Sequence, residues 1–287
     1  MRRMDPRRAR RPRPPVAAVR PAVAVRPPVG AAVRIVRRAC VAVAVVAVLG
    51  AASANLAPMR ELLANGHYNA AVQLEGPNLV ERFPFDPEAR YLYARAAWLT
   101  GDMATARAEV DHALELADTV PPPAPYLHLD GLILAEEGDA LGALRALEAA
   151  FRGGGAYEHA MDWGLVAWRF GEFDVALTAY AEAARTAEGA RSPWPHLNRG
   201  RILARVGRDD AAIVAFETAI EVFEATDPGG ARPPSPAYVE AFYRLGRLRE
   251  AAGDLARAEQ DYRAARSIDP NYTPAARALD ELTRRID

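Results

Sequence analysis

Apolar and small residues recur through this chain in short runs at helical spacing, and a glycine breaks the pattern at near-regular intervals. Gly66, Gly101, Gly138, Gly171, Gly207 and Gly253 follow one another at 35, 37, 33, 36 and 46 residues. Five residues after each stands an alanine: Ala71, Ala106, Ala143, Ala176, Ala212 and Ala258. Alanine is about a fifth of the chain, so six out of six has a chance probability of about 10⁻⁴, and the pattern is an internal repeat. Twelve residues after each of the last five glycines alanine returns, at 113, 150, 183, 219 and 265. Seven before them stand Ala94, Gly131, Gly164, Gly200 and Gly246, and nine after them Val110, Leu147, Tyr180, Phe216 and Tyr262.

Each period predicts a helix, a glycine turn and an antiparallel helix. In the last unit Phe242, Leu245 and Leu248 share one helical face before Gly253-Asp254, and Leu255, Tyr262 and Ala265 follow on the second helix. Glycine supplies the left-handed end of the first helix, and Asp254 can cap the second. Small residues belong where helices cross closely, because a larger side chain would push the axes apart. The aromatic residue fills the gap towards the next unit. One unit cannot bury its apolar face alone, so stability must come from stacking.

These slots resemble the tetratricopeptide repeat family. The best match is Leu245-Gly246, Gly253-Asp254-Leu255, Ala258, Tyr262, Ala265 and the closing Asp269-Pro270; Trp163-Gly164, Gly171-Glu172-Phe173, Ala176, Tyr180 and Ala183 come next. The resemblance runs from about Asn55 to Pro270. It implies an all-α fold, a right-handed superhelical α-solenoid of about six helix-turn-helix repeats. The expected units lie near 58–84, 88–119, 125–152, 157–188, 194–225 and 237–270, with a capping helix over 274–287, giving a repeat domain over 58–287. The first unit departs most, since Gly76-Pro77 is expected to interrupt its second helix, and it reads as a worn cap. Pro-rich junctions at Val120–Pro125, Arg191–Pro195 and Asp227–Pro236 lengthen three connections and make the stack less regular.

The resemblance also implies an inner face lined by residues ten, six, three and two before each glycine. On this chain the candidates for a peptide groove are Tyr91, Arg95, Trp98, His128, Trp168, Arg169, Leu197, Arg201, Arg205, Tyr243 and Arg247. Trp98 and Trp168 hold equivalent slots two units apart. Arginine and tryptophan are the residue types that dominate binding hot spots. The expected partner is therefore an extended peptide or protein with acidic groups or a free C-terminal carboxylate. The Lys and Asn pattern by which the family grips carboxylates is absent, since the chain has no Lys.

Charge divides the chain at residue 38. Residues 1–38 hold 12 Arg and one acid, a net of +11, while residues 39–287 hold 24 Arg and 36 acids, a net of −12, so the overall −1 hides two opposite parts. The first block is rich in Pro, lacks apolar periodicity and is expected to be disordered. Residues 39–57 are then uncharged for nineteen positions. A basic segment, an apolar core and the small-x-small site Ala52-Ser53-Ala54 are the parts of a secretory signal. As a helix of about 28 Å the stretch could instead stay as a transmembrane anchor. Either way the positive block stays in the cytoplasm and the repeats lie outside, in the periplasm or cell envelope.

Catalytic signatures are missing. The five His residues are scattered without an HExxH pair, no GxSxG or strand-borne GxGxxG occurs, and Gly153-Gly154-Gly155 reads as a flexible connector. The lone Cys40 excludes an intrachain disulfide and a Cys-based zinc site. No enzyme activity, cofactor or metal is expected. The sequence reads as an exported or membrane-tethered scaffold for protein–protein interactions, assisting assembly of a bacterial envelope complex. The alternative is a cytoplasmic repeat protein whose Arg-rich N-terminus binds nucleic acid, and the nineteen uncharged residues argue against it.

Overall fold

The computed structural model describes residues 56–226 and 233–286. The Arg-rich block and the uncharged stretch up to residue 55 lie outside the described residues. Those described form helices and connections, with no strand among them. A short α1 (Ala57–Ala64) opens the domain. After it come α2 (Tyr68–Ala70), a π-helical stretch (Ala71–Glu75) and α3 (Gly76–Arg82). The repeat pairs follow as α4 (Pro87–Thr100) with α5 (Met103–Leu116), α6 (Ala124–Glu137) with α7 (Ala140–Gly154), and α8 (Tyr157–Arg169) with α9 (Phe173–Arg185). Next are α10 (Trp194–Arg205) with α11 (Asp209–Thr226), α12 (Pro236–Ala251) with α13 (Leu255–Ile268), and the closing α14 (Thr273–Ile286).

The turn chemistry follows the repeat. All six period glycines have positive φ, between 73° and 86°, a region that costs a side-chain-bearing residue steric strain. Immediately after three of them, Asp102, Asp139 and Asp254 accept from the backbone N–H groups of Thr105, Gly142 and Arg257 at 3.1, 3.0 and 3.2 Å. Each bond satisfies a donor that the start of a helix otherwise leaves open. Both alanine rows of the last five units, from Ala106 to Ala258 and from Ala113 to Ala265, are fully buried.

The first unit departs from expectation. Gly76-Pro77 does not interrupt its second helix; the chain stays helical from Tyr68 to Arg82 by way of the π-helical stretch. Pro77 has no N–H, and the wider turn before it absorbs the missing bond. Gly76 is buried against the Tyr93 ring, where a Cβ would collide. The unit also has a core of its own: Leu56, Met59 and Leu79 are fully buried and pack with Ala89 and Leu92. Leu56, at the end of the uncharged stretch, thus belongs to the folded domain. The triple glycine differs too, for α7 continues through Gly153 and Gly154, and only Gly155 turns left-handed at φ 62°. At the other end α14 buries Ala275, Ala278, Leu279 and Leu282 on one side and closes the stack.

Candidate functional site

Successive first helices touch one another, α4 with α6, α6 with α8 and α10 with α12, besides packing on their neighbouring second helices. The first helices therefore line one side of the stack, in mutual contact from α4 to α8 and again from α10 to α12, and most of the groove candidates project from them.

In the early units the aromatic candidates are half-buried. Tyr91 stacks on Tyr126 with ring centroids 4.8 Å apart. Burial pushes the Tyr91 hydroxyl above its ordinary value, although the nearby Arg95 pulls it back. Arg95 itself is exposed. Trp98 packs beside Ala94, Ala97, Leu129 and Ile133, and Trp168 beside Ala167, Ala176 and Ile202. Both indoles thus span the joint between units and keep one edge available. His128 Nε2 lies 2.9 Å from Asp162 Oδ2, and its ring stacks on His159 at 4.4 Å.

The arginines divide into two groups. Arg169 donates to Glu136 at 2.7 Å. Arg201 donates its Nε to Glu240 at 2.9 Å and also bonds Asn198, while Arg244 reaches the same Glu240. These two candidates are already neutralised. Arg95, Arg205 and Arg247 have no carboxylate partner among the described residues. Arg205 lies over the Phe173 ring at 5.9 Å, and Arg247 donates weakly to the Tyr243 hydroxyl at 3.5 Å. Tyr243, Arg244 and Arg247 line a cavity of about 390 Å³ whose floor includes Ala204, Phe216 and Leu248. One candidate cannot offer contact surface: Leu197 is fully buried and packs with Phe216 and Leu245 in the core between α10, α11 and α12.

Several charged residues that shape this lining were not signalled by the repeat. Glu240 lies thirteen before its glycine, outside the rows used to choose candidates, and it decides the state of Arg201. Other pairs replace apolar residues in the walls of the stack. Asp130 stands eight before its glycine, where other units have Tyr93, Trp163 and Leu245; it accepts from Arg107 at 2.8 Å. Arg249 holds Asp261 through two contacts of 2.9 Å and also bonds Glu217. A charged residue in a row that is mainly apolar, such as Arg249 where other units have Ala97, Leu134, Ala167 and Leu203, was the available signal. Among the described residues no group of three or more His, Cys, Asp or Glu side chains is placed to hold a metal.

The family model for the tetratricopeptide repeat matches residues 59–121, 161–231 and 197–273, more than half of the sequence. The chain belongs to the tetratricopeptide repeat (TPR) family. Its fold is similar to that of YrrB, described as a TPR protein with an unusual peptide-binding site, at 21% identity and a TM-score of 0.53 over 71% of this chain and 97% of YrrB. It is similar also to MamA (17% identity, TM-score 0.54, 64% of this chain and 98% of MamA). A third likeness is BtubC from P. vanneervenii (19% identity, TM-score 0.54, 73% of this chain and 90% of BtubC). No curated protein matches the sequence significantly. TPR proteins generally serve as interaction scaffolds rather than enzymes, and this TPR chain is read as a scaffold for protein–protein interaction.

Proposed function

We propose that this TPR protein holds an extended peptide with acidic groups, or a free C-terminal carboxylate, along its first-helix lining. The observation that carries the reading is the trio Arg95, Arg205 and Arg247, left without carboxylate partners in a domain rich in acids. Guanidinium groups not already neutralised are free to make paired hydrogen bonds to a carboxylate. The cavity at Tyr243, Arg244 and Arg247 is the best place for a chain terminus, since the unpaired Arg247 and the Tyr243 hydroxyl meet there over an apolar floor. Half-buried Tyr91, Trp98 and Trp168 supply rigid contact area elsewhere along the lining. The likeness to YrrB supports a peptide as the ligand class.

The protein is proposed to act outside the cytoplasm, in assembly of a bacterial envelope complex. The +11 block followed by the uncharged stretch supports export. With Leu56 in the core, residues 39–55 would span only about 26 Å as a helix, short of a ~30 Å bilayer core. That favours a cleaved signal over an anchor, and cleavage after Ala54 would leave Leu56 in place.

The test is affinity capture from envelope extracts with the wild-type protein and with Arg205→Ala/Arg247→Ala. The variant is expected to lose the captured partner, with binding weakened by about tenfold or more. Undiminished capture by the variant sinks the groove reading. Mass spectrometry of the mature N-terminus tests the setting separately: a cytoplasmic pool with an intact N-terminus overturns export.

A further inference from the structure

The second helices form the opposite side of the stack, and between α9 and α11 they leave a furrow of about 440 Å³. Its wall and floor include Leu177 from α9, Arg199 and Leu203 from α10, and Val214 from α11, with Arg208 in the turn before α11. Arg199 occupies the slot eight before its glycine, which is Trp163 one unit earlier and Leu245 one unit later. A cation has therefore taken a wall position that is apolar on either side.

That cation is unanswered. Neither the Arg199 nor the Arg208 side chain makes a hydrogen bond or ion pair among the described residues, and Arg199 Nε is shielded from water without any partner. Burial, and then the nearby Arg185 cation, both push the Arg199 guanidinium below its ordinary value, and no carboxylate counters them. The nearest comparison shows how the fold treats such groups elsewhere. Arg249, also half-buried, is matched by Asp261 and Glu217, and Arg107 by Asp130. The furrow one unit earlier, floored by Trp163, is lined by Glu148, Asp174 and Glu182 with a single cation, Arg152, which Glu148 already binds. A donor shut away from water without a partner, as Arg199 Nε is, is costly to keep unless something completes it. Val214 is 61% exposed at the same furrow, so apolar surface lies open beside the two cations.

We propose that this furrow is a second binding site, on the side away from the first-helix lining. It takes a carboxylate carried by an aliphatic residue of a partner protein. Arg199 and Arg208 hold the carboxylate, and Leu177, Leu203 and Val214 receive the aliphatic part. Charge complementarity selects an anion, and the apolar wall selects an organic carboxylate over a fully hydrated inorganic anion. The reading is independent of the groove proposed above.

The experiment titrates the full chain with N-acetyl-leucine, N-acetyl-leucinamide and inorganic phosphate, following arginine Nε–Hε signals by NMR. The shielded Arg199 Nε proton is expected to exchange slowly and is identified by its loss in Arg199→Gln. N-acetyl-leucine is expected to shift that signal saturably, while the amide and phosphate leave it in place. Arg208→Gln, at an exposed position that does not threaten the fold, is expected to weaken the response by about tenfold. Arg205→Ala/Arg247→Ala is expected to leave it unchanged. The proposal is overturned if N-acetyl-leucine produces no saturable shift, if the amide or phosphate acts equally, or if Arg208→Gln has no effect. Loss of the response in the Arg205/Arg247 variant would place binding on the other side and overturn it as well.

Discussion

Gly246 lies directly against the ring of Tyr262, so that a Cβ added to the glycine would stand 2.6 Å from Tyr262 Cε1. The same arrangement joins Gly164 to Tyr180 at 2.7 Å, and it is tighter still between Gly200 and Phe216. The rings are fully or almost fully buried and have no room to retreat. In each pair the missing side chain sets how closely the two helices approach. Gly200→Ala should gain up to about 1 kcal/mol of helix propensity but lose more to overpacking, which costs about 1–3 kcal/mol. A net fall in thermal midpoint is expected. The unit that already has alanine in this slot, Ala94, faces the smaller Val110. Gly200→Ala combined with Phe216→Val should therefore be less destabilised than the sum of the two single changes. An additive double variant would show that the contact does not limit the helix approach.

Asp261 gives the fold a pH dependence of unusual sign. Its carboxyl is pushed up to about 6, chiefly by burial, against the pull of Arg249 and with a further push from Glu217. The folded state therefore favours the protonated acid more than the unfolded chain does. This contribution is fully present below the unfolded value near 3.8 and is lost as pH rises through about 6. The stability lost between acid and neutral pH is about 3 kcal/mol. Urea unfolding at pH 5 and pH 7.5 should show Asp261→Asn with a flatter pH response than wild type. Identical slopes for the two proteins would remove Asp261 as the cause.

Glu240 works in the opposite direction. Burial alone would raise its carboxyl, but the hydrogen bonds from Arg201 and Arg244 outweigh it and hold the group below its usual value. Its contribution is present above the unfolded value of 4.5 and is lost as pH falls through the depressed folded value. Glu240→Gln should lower stability at pH 7 by about 1–3 kcal/mol, because both pairs are partly sheltered. The same change releases Arg201 towards the first-helix lining. An acidic peptide should then bind more tightly to a less stable protein, a combination that simple unfolding would not produce. Weaker peptide binding in a folded Glu240→Gln protein would contradict the assignment of Arg201 as a masked cation.

Both the fold and its failures of legibility have local causes. The glycine turns and the two alanine rows were readable, because each slot demands one kind of residue and repeats it; the contact of Gly246 with Tyr262 inside one unit was not, since the aromatic slot was read as facing the next unit. The helix through Gly76-Pro77 was not, since a π-helical stretch can absorb a missing N–H and the local sequence does not say which way the chain will respond. The site was legible only as a row of positions. Leu197 occupies an inward slot by count and yet is buried, because α10 meets α12 closely there. Arg201 looked free because its partner Glu240 lies 39 residues away in the next unit. Ion pairing across units is set by packing between repeats, and a position rule within one repeat cannot contain it.

The stacked rings of His128 and His159 make the joint between α6 and α8 sensitive to acid. Burial lowers the His159 value below 6.5, and the neighbouring His128 lowers it further, while the Ala150 carbonyl, Glu158 and Asp162 pull it up. The folded state therefore favours neutral His159. Its contribution is present above the unfolded value of 6.5 and is lost as pH falls through the depressed folded value. The sign opposes that of Asp261, which favours acid, so the two sites are followed separately by residue-specific signals rather than by bulk stability. Histidine ring signals followed by NMR should show His159 titrating below 6.5. His128→Ala should raise that midpoint without restoring it fully, because burial, the larger cause, remains. A His159 midpoint at or above 6.5 would rule out the proposed acid sensitivity of this joint.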